Sequence, residues 1–155
     1  MAAFSDLFTM TIPNRVSLIL AVSFLVLAPL SGLAIQTIGM HLAAAAIVFS
    51  ACFALFALHV MGGGDAKLLS ATALWFGLNQ SLLFLMTDVA MIGGLITLLI
   101  LMARAQSDTI LAFGLPVPNS ILIAKKIPYG IAIAIGGFMA FPSSPLFIAA
   151  LESLK

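Results

Sequence analysis

Two aspartates are the residues of this chain best suited to chemistry. The sequence has only five acidic residues in 155, and 63% of it is aliphatic or aromatic against 7% charged. Asp65 lies in the run Met61-Gly62-Gly63-Gly64-Asp65-Ala66-Lys67-Leu68-Leu69. A carboxylate at or near membrane depth is costly and is rarely kept there without a role. Gly62, Gly63 and Gly64 clear side chains from the backbone ahead of it, so a substrate strand or a second acid can come close. A helix starting here would favour negative charge through its N-terminal dipole. Asp6 is the second candidate. Two carboxylates that share a site do not both ionise readily: one proton affinity rises, and the pair holds a single proton between them. The ionised acid then takes a proton from water while the protonated one polarises a scissile carbonyl, which is aspartic peptidase chemistry. That titration belongs to the pair, and neither role is assigned to one residue. The plainer readings are an interfacial helix N-cap for Asp65 and a solvated terminal residue for Asp6.

The elements that must position these acids are membrane helices. The composition predicts an all-α, polytopic transmembrane bundle of about five spans, each near the ~20 apolar residues that cross a bilayer. The apolar runs cover residues 16–35, 40–61, 65–78, 82–103 and 129–151. Pro29 and Gly32 are placed to kink the far end of the first run, and Asn79-Gln80-Ser81 ends the third. Residues 104–128, with Pro116, Pro118 and the Lys125-Lys126 pair, read as an extramembrane or interfacial loop. Crossing in turn from a cytoplasmic N-terminus places Arg15, Lys67, Arg104, Lys125 and Lys126 on one side and Lys155 on the other. Cytoplasmic loops carry the excess of Lys and Arg, which sets the orientation. Asp6 and Asp65 then fall on the cytoplasmic face, each at a membrane boundary, and Asp88 and Glu152 on the opposite one. Asp108 falls in the cytoplasmic loop.

The same composition excludes other classes. Residues 1–155 form one membrane-embedded domain. A net charge of +1 leaves no footprint for nucleic acid. The single cysteine, Cys52, has no partner for a disulfide or a CxxC zinc site and reads as a packed hydrophobe. There is no HExxH motif, so His41 and His59 build no specific metal site, and no metal or cofactor is expected. Residues 1–4 are too short for the apolar stretch of a signal peptide.

Two further segments add a resemblance. One is Ser5-Asp6-Leu7-Phe8-Thr9-Met10-Thr11-Ile12-Pro13-Asn14-Arg15, and the other is Ile127-Pro128-Tyr129-Gly130-Ile131-Ala132-Ile133-Ala134. With the glycine-rich run they resemble the prepilin peptidase (type IV leader peptidase) family of GxGD membrane aspartic peptidases. Its pattern is an Asp before an I-P-N-R turn, a G-x-G-D-x-K-L run and a late P-Y-G-x-A segment, and all three occur here in order. The short length is similar to the stand-alone peptidases of tight-adherence (Flp-type) pilus systems. The resemblance implies that Asp6 and Asp65 are the catalytic pair. It also implies cleavage of a short basic leader from prepilins and pseudopilins at the cytoplasmic face of a bacterial inner membrane, alongside pilus or secretion assembly proteins. Longer members carry a methyltransferase region with paired CxxC motifs, which this sequence lacks, so N-methylation is not expected of it. In the family a transmembrane helix precedes the first catalytic Asp, giving about six spans. Only five residues precede Asp6 here, so that helix is expected either upstream of Met1 or not at all.

The remaining residues are supporting. Pro13 and Asn14 turn the chain into the first span. Arg15 and Lys67 read as headgroup anchors, and Lys67 could also tune the acid pair. His59 is an interfacial side chain or a proton relay. Tyr129 is an interfacial anchor that the resemblance moves, with Pro128 and Gly130, to the active-site cavity. Gly93-Gly94 and Gly136-Gly137 permit close helix contact or admit a substrate helix. The competing readings are a peptidase of the same kind for another substrate, a helical scaffold or transporter subunit of a secretion complex, or an inactive member of the family.

Overall fold

The computed structural model describes Asp6, residues 11–106 and residues 129–152. Every regular element among them is helical: α1 (Asn14–Leu30), α2 (Ile35–Ala57), α3 (Gly63–Ala73), α4 (Gln80–Ala105), α5 (Tyr129–Ala140), a 3-10 turn (Phe141–Ser143) and α6 (Pro145–Glu152). The expected all-α membrane bundle is therefore what forms. Its surface is apolar: Leu30, Ile35 and Phe138 are 76%, 80% and 81% exposed. The buried set in turn includes Asp6, His41, Asp65, Ser70, Ser81 and Ser144. An oily outside around a partly polar inside suits lipid, because hydrophobicity gives helices no reason to hide from acyl chains.

Local chemistry sets the helix ends. Pro13 stands at the N-cap of α1 in extended conformation, where its missing N–H costs nothing. Gly32 ends α1 at φ +75°, and the Leu33 and Gly32 N–H groups donate to the Ala28 and Pro29 carbonyls at 3.3 and 3.1 Å. The helix thus stops there instead of kinking onward to residue 35. His59 ends α2 in the same left-handed way at φ 60°, with Val60 N–H on the Leu55 carbonyl at 2.9 Å. This position usually takes glycine, so the exposed His59 serves as a cap. Asn79 caps α4, its side chain accepting the Ser81 N–H at 2.7 Å.

The spans differ from expectation in one respect that matters. Two helices, Ile35–Ala57 and Gln80–Ala105, are long and apolar enough to cross a membrane alone. Tyr129–Ser143 and Pro145–Glu152, bent by 42°, make a third crossing if they act as one. Asn14–Leu30 is a shorter apolar helix of 17 residues. The run from Asp65 to Leu78 is not a full span. Its helix, α3, has 11 residues, about 16 Å of rise against a hydrocarbon core of about 30 Å. It survives because it faces protein: α3 packs against α1, α2 and α5, and Asp65, Ala66, Leu68, Leu69, Ser70, Ala71 and Ala73 are all buried. Asp88 stands inside α4, eight residues after Gln80 and half-buried.

Glycines let the helices meet. A Cβ at Gly136 would lie 2.7 Å from the Val89 backbone nitrogen, and one at Gly93 would lie 2.7 Å from Tyr129 Cε1. These two glycines are filled by the chain itself, while Gly94 faces open space. At the opposite end of α3, His41 is buried, stacks on Phe24 at 5.0 Å and donates from Nδ1 to the Leu74 carbonyl at 2.6 Å. Its Nε2 is enclosed without a hydrogen-bond partner among the described residues. Gly77, at φ +71°, leaves room for that ring. Sequence reasoning assigned His41 no role; its only signal was a polar residue inside an apolar run.

Candidate active site

Four helix ends converge at one end of the bundle: the starts of α1, α3 and α5 and the finish of α2. Lys67 on α3 donates from Nζ to Asn14 Oδ1 at 3.1 Å, tying α3 to the first residue of α1. A Cβ at Gly63 would meet the Phe56 ring of α2 at 3.2 Å. Arg15 and Lys67 both remain exposed here.

Asp6 reaches this end from the N-terminal segment. It is 5% exposed, and its Oδ2 accepts the Gly130 N–H at 2.7 Å across 124 residues of sequence. Gly130 is the second residue of α5, so Asp6 satisfies one of the backbone N–H groups that a helix start leaves open. It is neither solvated nor terminal in behaviour. Burial pushes its carboxyl above the ordinary value of 3.8, and the Gly130 N–H opposes that rise.

Asp65 lies in the first turn of α3 and is 8% exposed. Gly62 holds the N-cap position, so Asp65 is not the cap. Its carboxylate folds back over Gly62, where a Cβ would lie 2.7 Å from Asp65 Oδ2. Any side chain at 62 would displace the acid, which is a specific reason for glycine there. Cys52 is buried on α2.

Ile12 joins the two halves. A Cβ at Gly64 would lie 3.1 Å from Ile12 Cβ, and one at Gly130 would lie 3.0 Å from Ile12 Cδ1. The same Gly130 Cβ would lie 2.8 Å from Asp6 Oδ2. One isoleucine side chain thus spans from the glycine beside Asp65 to the glycine that binds Asp6. Sequence reasoning quoted Ile12 within a motif but gave it no part. Its signal was an apolar residue directly before the Pro13 turn.

Each acid therefore sits on the positive end of a helix dipole, which favours its charged form, while burial favours the neutral one. Pro13, Asn14 and Arg15 form the entry to α1 beside these acids, and Tyr129 packs against Gly93. Pro128 lies outside the described residues, as do Asp108, Lys125, Lys126 and Lys155. No group of three or more His, Cys, Asp or Glu able to hold a metal occurs among the described residues.

Membrane helices enclosing two carboxylates, each at a helix N-terminus, define a helical membrane protein with two buried acids at one end of its bundle. Residues 1–99, which include both acids, match the type IV leader peptidase family, and the chain belongs to that family of peptidases. The Tyr129-Gly130 segment lies beyond the matched stretch. No curated protein and no solved structure matches the chain.

Proposed function

We propose that this protein is an aspartic endopeptidase of the bacterial inner membrane. It removes the short basic leader from Flp-type prepilins and pseudopilins at the cytoplasmic face, with Asp6 and Asp65 as the catalytic pair. The observation that carries this reading is the burial of both acids at helix N-termini around Ile12, in a chain of this peptidase family. One carboxylate takes a proton from water as the water oxygen attacks the scissile carbonyl carbon. The other, protonated, donates a hydrogen bond to the carbonyl oxygen as negative charge develops there. The tetrahedral intermediate then collapses, the C–N bond breaks, and the amine leaves with a proton from the pair. Burial strengthens these interactions by excluding water.

The site's position suits this substrate. A peptide bond inside an intact helix is shielded by its own hydrogen bonds, whereas a leader–helix junction is more open and lies near the headgroups. The glycines at 62–64 serve the chain's own packing, closing on Asp65, Phe56 and Ile12, and so hold Asp65 at this boundary and do not open a cleft. Gel-shift analysis of a Flp-type prepilin co-expressed with the parent, Asp6→Asn or Asp65→Asn tests the reading. Cleavage by the parent alone is expected. Normal processing by Asp65→Asn at equal protein level would refute it and favour a scaffold role, in which Asp→Asn is tolerated.

A further inference from the structure

Two grooves run along α3, one on each side. The first, about 650 Å³, lies between α1 and α2 and carries Arg15 and Lys67 at its mouth. The second, about 560 Å³, lies between α1 and α5, and no charged residue lines it.

The second groove is collinear with the acid pair. Leu68 and Thr72 line it at three and seven residues past Asp65, and Ile133 and Gly137 at three and seven past Gly130. Residues three, four and seven apart share a helix face, so α3, which bears Asp65, and α5, whose Gly130 binds Asp6, both continue directly into the groove. Val16, four residues past Ile12, does the same for α1. The walls extend from Leu68 on α3 to Phe76, three residues past its end.

The polar groups on these walls are already used. Thr72 Oγ1 donates to the Leu68 carbonyl at 2.9 Å, and Trp75 Nε1 donates to the Leu20 carbonyl at 3.1 Å. The groove therefore offers apolar surface with no spare donor for an extended backbone. A helix, which satisfies its own backbone, is the form of chain that can lie there within a membrane.

We propose that this groove is the docking track for the apolar helix that follows the scissile bond of the substrate. This rests on the leader-peptidase reading given above. Charge selects between the two grooves: an apolar helix laid in the first would cover Arg15 and Lys67, and burying a charge without a partner is costly, whereas the second has no such barrier. A lipid acyl chain is the rival occupant, but it gives no reason for the groove to be collinear with both acids.

The test is photo-crosslinking in membranes, with Asp65→Asn present to hold the precursor uncleaved. A benzophenone amino acid replaces Phe138, which lines the second groove and is 81% exposed, or Leu18, which lines the first and is 62% exposed. The expected adduct joins position 138 to the first turns of the precursor's apolar segment, with none from position 18. Equal or reversed labelling, or adducts to lipid alone, would overturn the proposal. Independently of the probe, Ala134→Trp fills the groove from its exposed side. It should lower kcat/KM about tenfold or more, chiefly by raising KM; an unchanged KM would overturn the proposal as well. Cleavage by the parent without an adduct at 138 defeats the groove assignment alone. A parent that cleaves no precursor defeats the peptidase reading and this proposal with it.

Discussion

Replacing Gly130 with Ala should impair the acid pair while leaving the bundle folded. The added Cβ would lie 2.8 Å from Asp6 Oδ2, 3.0 Å from Asp6 Cβ and 3.0 Å from Ile12 Cδ1. Ordinary carbon–oxygen contact begins at about 3.3 Å, so the carboxylate must retreat by roughly half an ångström. That movement stretches the 2.7 Å hydrogen bond from the Gly130 N–H to about 3.2 Å, the long limit for such a bond. A bond to a charged acceptor is worth about 1.5–3 kcal/mol. Losing roughly half of that, at about 1.4 kcal/mol per decade, should slow cleavage about 3- to 10-fold. The loss should fall on kcat, because the acid is displaced and the substrate surface is not. The Gly130 N–H also holds down the proton affinity of Asp6, so weakening that bond should move the acid limb of the pH–rate profile to higher pH. Gly94→Ala is the control. It is the same change in a neighbouring helix, but with no atom within 4 Å of the new methyl. It should keep full activity and gain about 0.5–1 kcal/mol of stability from the stiffer backbone. Initial rates on a purified prepilin across pH would measure both variants. Equal activity of Gly130→Ala and Gly94→Ala would refute the argument that Gly130 positions Asp6.

Two further outcomes follow from the same geometry. The folded protein holds a proton on Asp6 more tightly than the unfolded chain does, because burial raises its carboxyl above 3.8. This contribution to stability is complete below the unfolded value and is lost as pH climbs through the raised folded value. Asp6→Asn should remove that dependence, so thermal scans in detergent from about pH 4 to pH 7 should show its melting point declining less than the parent's; parallel curves would contradict the burial argument. Gly136→Ala should destabilise the α4–α5 contact by about 2–3 kcal/mol, since the methyl would meet Val89 backbone atoms at 2.7 and 2.9 Å that have no rotamer to change. A melting point equal to the parent's would show that the two helices can part without cost.

The sequence by itself determined the class of the fold and the candidate acids. A chain so apolar, broken by so few charges, can satisfy its backbone in lipid only by forming helices or a closed barrel, and runs of about 20 apolar residues favour helices. Asp6 and Asp65 stood out because charge is scarce here and glycines crowd one of them. Tertiary packing decided what pattern could not. Residues 65–78 read as a span, yet α3 is short and central, because hydropathy cannot tell a helix facing lipid from one facing other helices. Gly93 and Gly136 were equally open to a substrate or to a neighbouring helix, and Tyr129 and Val89 fill them. The bond from Gly130 to Asp6 joins groups 124 residues apart. No local periodicity encodes such a contact; it exists only once α1, α3 and α5 bring their first turns together around Ile12.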